Sequence, residues 1–202
     1  MDTSELYIKN DNDTLIVCFA GFALKMGGIP PYDFLNFITD NFPQVDKLFY
    51  RDMKQMCYHK GIDKISDSVD STVTYLREKI ANYKKVIFTG TSAGAYAAML
   101  YGSLLNISDV VAFQPITILY RRKDKYNSRY IDLSKDIINN TTKYHLFGDV
   151  GFTNETDVHH VKHCKNISHY PNVEITYKKD INLVQLKKSG ELLDIYTAIL
   201  LR

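Results

Sequence analysis

The segment Gly90-Thr91-Ser92-Ala93-Gly94 follows a β-branched and aromatic run, Val86-Ile87-Phe88-Thr89, and opens a small apolar stretch, Ala95–Leu105. Gly-x-Ser-x-Gly between a strand and a helix is the pattern of a nucleophile elbow, in which a sharp turn presents a serine hydroxyl for acyl transfer. Glycines two before and two after the serine remove the side chains that would hold strand and helix apart. Ser92 then lies at the positive end of the following helix, which favours developing negative charge. The competing reading is a Gly/Ala-rich turn that cradles a phosphate, with Ser92 as a cap. Its spacing matches neither the P-loop nor the dinucleotide fingerprint.

Acyl transfer needs two N–H donors for the oxyanion. Ala93 follows the serine and supplies one. The turn Ala20-Gly21-Phe22-Ala23, just past the strand candidate Leu15–Phe19, supplies the second through the Phe22 amide, with Gly27-Gly28-Ile29-Pro30-Pro31 shaping the same loop. Two carboxylates are placed to act as the acid: Asp149, where a strand runs into its loop, and Asp157, where a helix begins. A serine hydroxyl is a poor nucleophile without a base, and no histidine follows His169. The cluster Asp157-Val158-His159-His160-Val161-Lys162-His163-Cys164 offers imidazoles instead. On a helix, His160 shares a face with Asp157 three residues before it, which makes His160 the expected base and leaves His159 and His163 without a role. His160 and Cys164 are also one turn apart, but structural zinc prefers four ligands in paired spacings. Neither a metal nor a cofactor is expected.

These groups must be carried by a scaffold. Short apolar runs alternate with amphipathic stretches: Leu15–Phe19, Lys47–Tyr50, Lys85–Thr89, Asp109–Phe113, Tyr144–Phe147 and Val173–Tyr177 as strands, with Leu6–Lys9 as an added edge. Between them lie the helix candidates Tyr32–Asp40, Ser66–Asn82 (capped by Ser66 or Asp67), Ala93–Leu105, Asp157–Ser168 and Val184–Leu200. Near-continuous hydrophobic strands separated by helices predict an α/β fold, a mostly parallel sheet of about six strands covered on both faces. The 202 residues predict one domain. Residues 114–142, with Arg121-Arg122-Lys123, Lys125 and Arg129, form either a small cap over the strand ends or a solvated excursion.

Lysine plus arginine (25) nearly cancels aspartate plus glutamate (23), a net charge of +2 that argues against nucleic acid as partner. No run of 18 apolar residues or signal-peptide pattern occurs, so no membrane partner is expected. Three unpaired-looking cysteines, Cys18, Cys57 and Cys164, fit a cytoplasmic setting.

The chain resembles the α/β-hydrolase superfamily, most specifically through Gly90–Gly94. It is similar to small hydrolase-like domains associated with bacterial surface-polysaccharide biosynthesis. The matching residues are Arg51-Asp52, Cys57-Tyr58-His59-Lys60-Gly61, Ala112-Phe113-Gln114-Pro115, Asp157 with His160, Asn182-Leu183-Val184 and Gly190-Glu191-Leu192. The resemblance implies a serine hydrolase or acyltransferase acting on an ester or thioester, for instance O-acyl groups of a glycan, beside a glycosyltransferase partner. It also implies a histidine just before Asn182, where this chain has Ile181. The alternative is therefore a hydrolase-fold binding or scaffold module without catalysis.

Overall fold

The computed structural model describes residues 4–23, 28–29, 31–120, 126–135 and 137–202. Seven strands form one sheet: β1 (Glu5–Ile8), β2 (Thr14–Phe19), β3 (Asp46–Tyr50), β4 (Lys85–Thr91), β5 (Asp109–Phe113), β6 (Lys143–Asp149) and β7 (Val173–Lys178). Their order is β1-β3-β2-β4-β5-β6-β7. Only β1 runs antiparallel, pairing with β3; β2 through β7 are parallel. The edge strand at the N-terminus makes the count seven rather than six.

Side chains alternate across the sheet, as the period of a strand requires. Leu15, Val17 and Phe19 of β2 enter one core with Phe88, Val110, α2 (Val69–Ile80) and α3 (Ala93–Leu105). Ile16 and Cys18 enter the other with Phe49, Ile87, Val111, Phe113, α1 (Leu35–Asn41) and α6 (Glu191–Leu200). Both faces are thus covered. All of α3 except Leu104 is buried, which explains why its sequence is apolar nearly all round.

Three sequence-based boundaries are corrected. The N-cap of α2 is Ser68, whose hydroxyl accepts from Ser71 N–H while Ser71 reciprocates, so Ser66 and Asp67 lie outside the helix. The helix expected over Val184–Leu200 is two, α5 (Leu183–Lys188) and α6, because Gly190 adopts φ 83° between them. The helix expected over Asp157–Ser168 shrinks to α4 (Lys162–Asn166), preceded by a series of turns. That change decides the site.

Of residues 114–142, the described part holds one short 3-10 turn, Ser128–Tyr130, and a bridge between Ile118 and Asp132. It is anchored rather than freely solvated: Ile116, Leu119, Tyr130, Leu133, Ile137 and Ile138 all join the α3-side core. The basic cluster Arg121-Arg122-Lys123 with Lys125 lies outside the described residues, as do Gly27 and Pro30.

Candidate active site

β4 ends and α3 begins with a single residue between them. That residue, Ser92, has φ 54° and ψ −117°, a conformation costly for a side-chain-bearing residue. Its N–H donates to the Phe113 carbonyl at 3.0 Å, and its own carbonyl accepts from Tyr96 N–H at 3.0 Å. The flanking glycines are required by contact. A Cβ on Gly90 would stand 2.2 Å from the Gly94 carbonyl carbon, and one on Gly94 would stand 2.0 Å from the Phe19 oxygen.

The imidazole that meets Ser92 is that of His159: its Nε2 lies 2.8 Å from Ser92 Oγ. His160, expected to face the serine, instead uses Nδ1 to accept from the Lys162 amide at 3.2 Å. The reason is local. Asn154 accepts from Thr156 N–H, and the Asp157 carboxylate accepts from His159 N–H at 2.8 Å. These side chains tie their own backbone two residues on, a habit of Asn and Asp that competes with helix. With no helix there, the spacing of three that favoured His160 loses its meaning. His159 Nδ1 stands 3.8 Å from Asp157 Oδ1, a charge contact longer than a hydrogen bond. The ring packs beside Phe152 with centroids 5.3 Å apart. Burial lowers the His159 pKa from its ordinary value, with Asp157 and then Asp149 pulling the other way. The net effect favours the neutral ring, the form that can accept a proton.

Asp149 is engaged elsewhere. It accepts from the amides of Gly151 (2.8 Å), Asp180 (2.9 Å) and Ile181 (2.7 Å), and from Gln114 Nε2 (3.1 Å). It fastens the loop after β7 to the end of β6. Ile181 itself is buried against the α1/α6 face, so the position at which the resemblance implies a histidine supplies no base to the serine.

Phe22 and Ser92 line one cavity of about 200 Å³, together with Ile116, Leu119, Tyr126 and Asp157. Gly21 draws the Phe22 turn close, since a Cβ there would lie 3.1 Å from the Thr91 carbonyl oxygen. Neither the Phe22 nor the Ala93 amide has an acceptor among the described residues. No group of three or more His, Cys, Asp or Glu side chains placed to hold a metal occurs among those residues.

No family model matches the chain, and no curated protein is significantly similar in sequence. Solved structures do match. A mutant of the capsule O-acetyltransferase of Neisseria meningitidis serogroup A, in complex with CoA, superposes with a TM-score of 0.67 at 14% identity, covering 94% of this chain and 90% of that one. The propionate-bound thermophilic esterase Est2 of Thermogutta terrifontis gives 0.62 at 15%, covering 97% and 89%. The Glycosylation Associate Protein (Gap123) complex of Streptococcus agalactiae gives 0.60 at 15%, covering 97% of this chain and 44% of that one. What identities this low convey is the path of the backbone. A seven-stranded, mostly parallel sheet with helices on both faces and such neighbours has one description: the chain has an α/β-hydrolase fold.

Proposed function

We propose that the protein is a serine-dependent acyl-transfer enzyme, a hydrolase or acyltransferase of esters or thioesters, in which Ser92 is the nucleophile and His159 its base. One observation carries this reading: the 2.8 Å approach of His159 Nε2 to Ser92 Oγ, within the reach required of a general base. In the first half-reaction Ser92 Oγ attacks the acyl carbonyl and its proton passes to His159 Nε2. The resulting oxyanion sits between the Phe22 and Ala93 amides. Collapse breaks the bond to the leaving alcohol or thiol, which takes the proton from His159. Water or an acceptor hydroxyl then attacks the acyl-Ser92 ester, with His159 again the base. Asp157 steadies the imidazolium formed in each step.

The reading needs no metal or cofactor. The capsule O-acetyltransferase and its CoA support a thioester donor and O-acyl groups of a glycan, and the glycosylation-associated complex supports a protein partner in glycosylation; a glycosyltransferase is the partner that the resemblance implies. Three buried free thiols, Cys18, Cys57 and Cys164, fit a reducing compartment, and no described helix is long and apolar enough to cross a membrane.

A fluorophosphonate probe tests the assignment. Wild type and His160→Ala form an adduct at Ser92; Ser92→Ala forms none, and His159→Ala reacts about 10²–10⁴-fold more slowly, the usual contribution of a general base. If wild type fails to label while a control hydrolase does, the protein is a non-catalytic binding module instead.

A further inference from the structure

Arg51 belongs to a motif that the chemistry at Ser92 does not use. It follows β3 and enters a second cavity, of about 520 Å³, between the segment leading into α1 and helix α5. Tyr32, Asp33, Asn36, Val184 and Lys187 line it with Arg51, and it shares no described lining residue with the cavity at Ser92. The guanidinium carbon lies 3.6 Å from the centre of the Tyr32 ring. Its Nε is buried without a partner, and no carboxylate approaches the guanidinium within 4.0 Å among the described residues. Asp33, the one described carboxylate in the wall, accepts at Oδ2 from the Gly21 amide at 2.9 Å. Lys187 makes no ion pair with a described residue and stands exposed on α5. Two cations thus face a cavity holding one carboxylate that is already engaged.

The Arg51 Nε–H is one buried donor left without an acceptor, and such a donor is costly. The planar fork of arginine matches the two oxygens of a phosphate or carboxylate. We propose that this cavity binds a small organic anion whose phosphate or carboxylate is gripped by Arg51, with Lys187 assisting at the rim and Tyr32 fixing the guanidinium plane. At about 520 Å³ the cavity falls within the range of small-molecule sites, which run from roughly 300 to 1,000 Å³, and a monosaccharide carrying one charged group is a suitable probe of it. The proposal does not depend on any role for Ser92.

Calorimetric titration of glucose 1-phosphate, glucuronate and uncharged glucose into the intact protein tests it. At least one charged sugar binds and glucose does not; which one binds distinguishes phosphate from carboxylate. Arg51→Met weakens that binding by about tenfold or more, as loss of a charge-assisted hydrogen bond requires, Arg51→Lys less, and Lys187→Glu also weakens it. Failure of both charged sugars to bind at millimolar concentration, equal binding of glucose, or unchanged binding in a folded Arg51→Met overturns the proposal. Should Arg51→Met not fold, Lys187→Glu, on an exposed helix face, decides: undiminished affinity there overturns it.

Discussion

At the scale of single residues, the proposed chemistry rests on a histidine kept neutral. Burial holds the His159 pKa below its ordinary 6.5, and the Asp157 charge opposes that shift. A base works only unprotonated, so kcat/KM rises with pH through the His159 pKa, with its half-point below 6.5. Removing the opposing charge with Asp157→Asn moves the half-point lower still and reduces the plateau by about tenfold to a hundredfold, since the imidazolium loses its counter-charge. Asparagine can still accept from the His159 amide, so the turn is retained. A pH-rate profile on a chromogenic ester measures both effects; a half-point above 6.5 would show that burial does not depress the imidazole, and a half-point that Asp157→Asn leaves unmoved would remove His159 as base. Ser92 was legible from sequence because the Gly-x-Ser-x-Gly pattern is contiguous: Gly90 is constrained by Gly94 four residues on, although Gly94 in turn is constrained by Phe19 of β2. His159 was not legible. Periodicity over residues 157–168 indicated a helix, and only the side-chain-to-backbone bonds of Asn154 and Asp157 reveal the turns that aim His159 at the serine.

At the scale of elements, the junction of β4 with α3 has almost no tolerance. Gly90→Ala would drive a methyl to 2.2 Å from the Gly94 carbonyl carbon, a backbone atom with nowhere to move. We expect a loss of roughly 3 kcal/mol or more, the upper range for overpacking, read by urea unfolding; a loss below about 1 kcal/mol would show that the junction can open. The strands themselves were the most legible feature, because runs such as Leu15–Phe19 are buried from both sides and need no polar alternation. Helix ends were less so. The cap at Ser68 rather than Ser66 depends on reciprocal bonding with Ser71, and the break before α6 depends on Gly190 at φ 83°. Neither leaves a mark in hydrophobic periodicity.

For the whole molecule, two further imidazoles couple stability to acidity. His59 and His163 are buried, and burial lowers each pKa to about 4. Their hydrogen bonds need the neutral ring: His59 Nδ1 accepts from the Asn127 amide at 3.1 Å, and His163 Nδ1 from the Thr117 amide at 3.1 Å. A proton on either Nδ1 would set donor against donor. Between pH 6.5 and about 4 the unfolded chain therefore binds more protons than the folded one. Stability is complete above pH 6.5 and falls as pH drops, by about 3 kcal/mol per histidine at most. Asp33 and Asp52, whose pKa values burial raises, act in the opposite sense. The comparison with His163→Asn, which keeps an acceptor near the Thr117 amide, isolates the histidine. Urea unfolding across this range gives a shallower slope for that variant than for wild type; equal slopes would exclude His163.

The bond from the His159 amide to Asp157 also has a mechanical consequence. Asp157 and His159 are separated by Val158 alone, and the bond fixes the carboxylate against the backbone that carries the imidazole. That part of the geometry is set locally, within a span of two residues. What is left for the tertiary structure to set is the rotamer of the imidazole, which packs beside Phe152, and the gap across to Ser92. Substitutions at Phe152 would therefore alter the approach of the ring to Ser92 while leaving the turn itself in place.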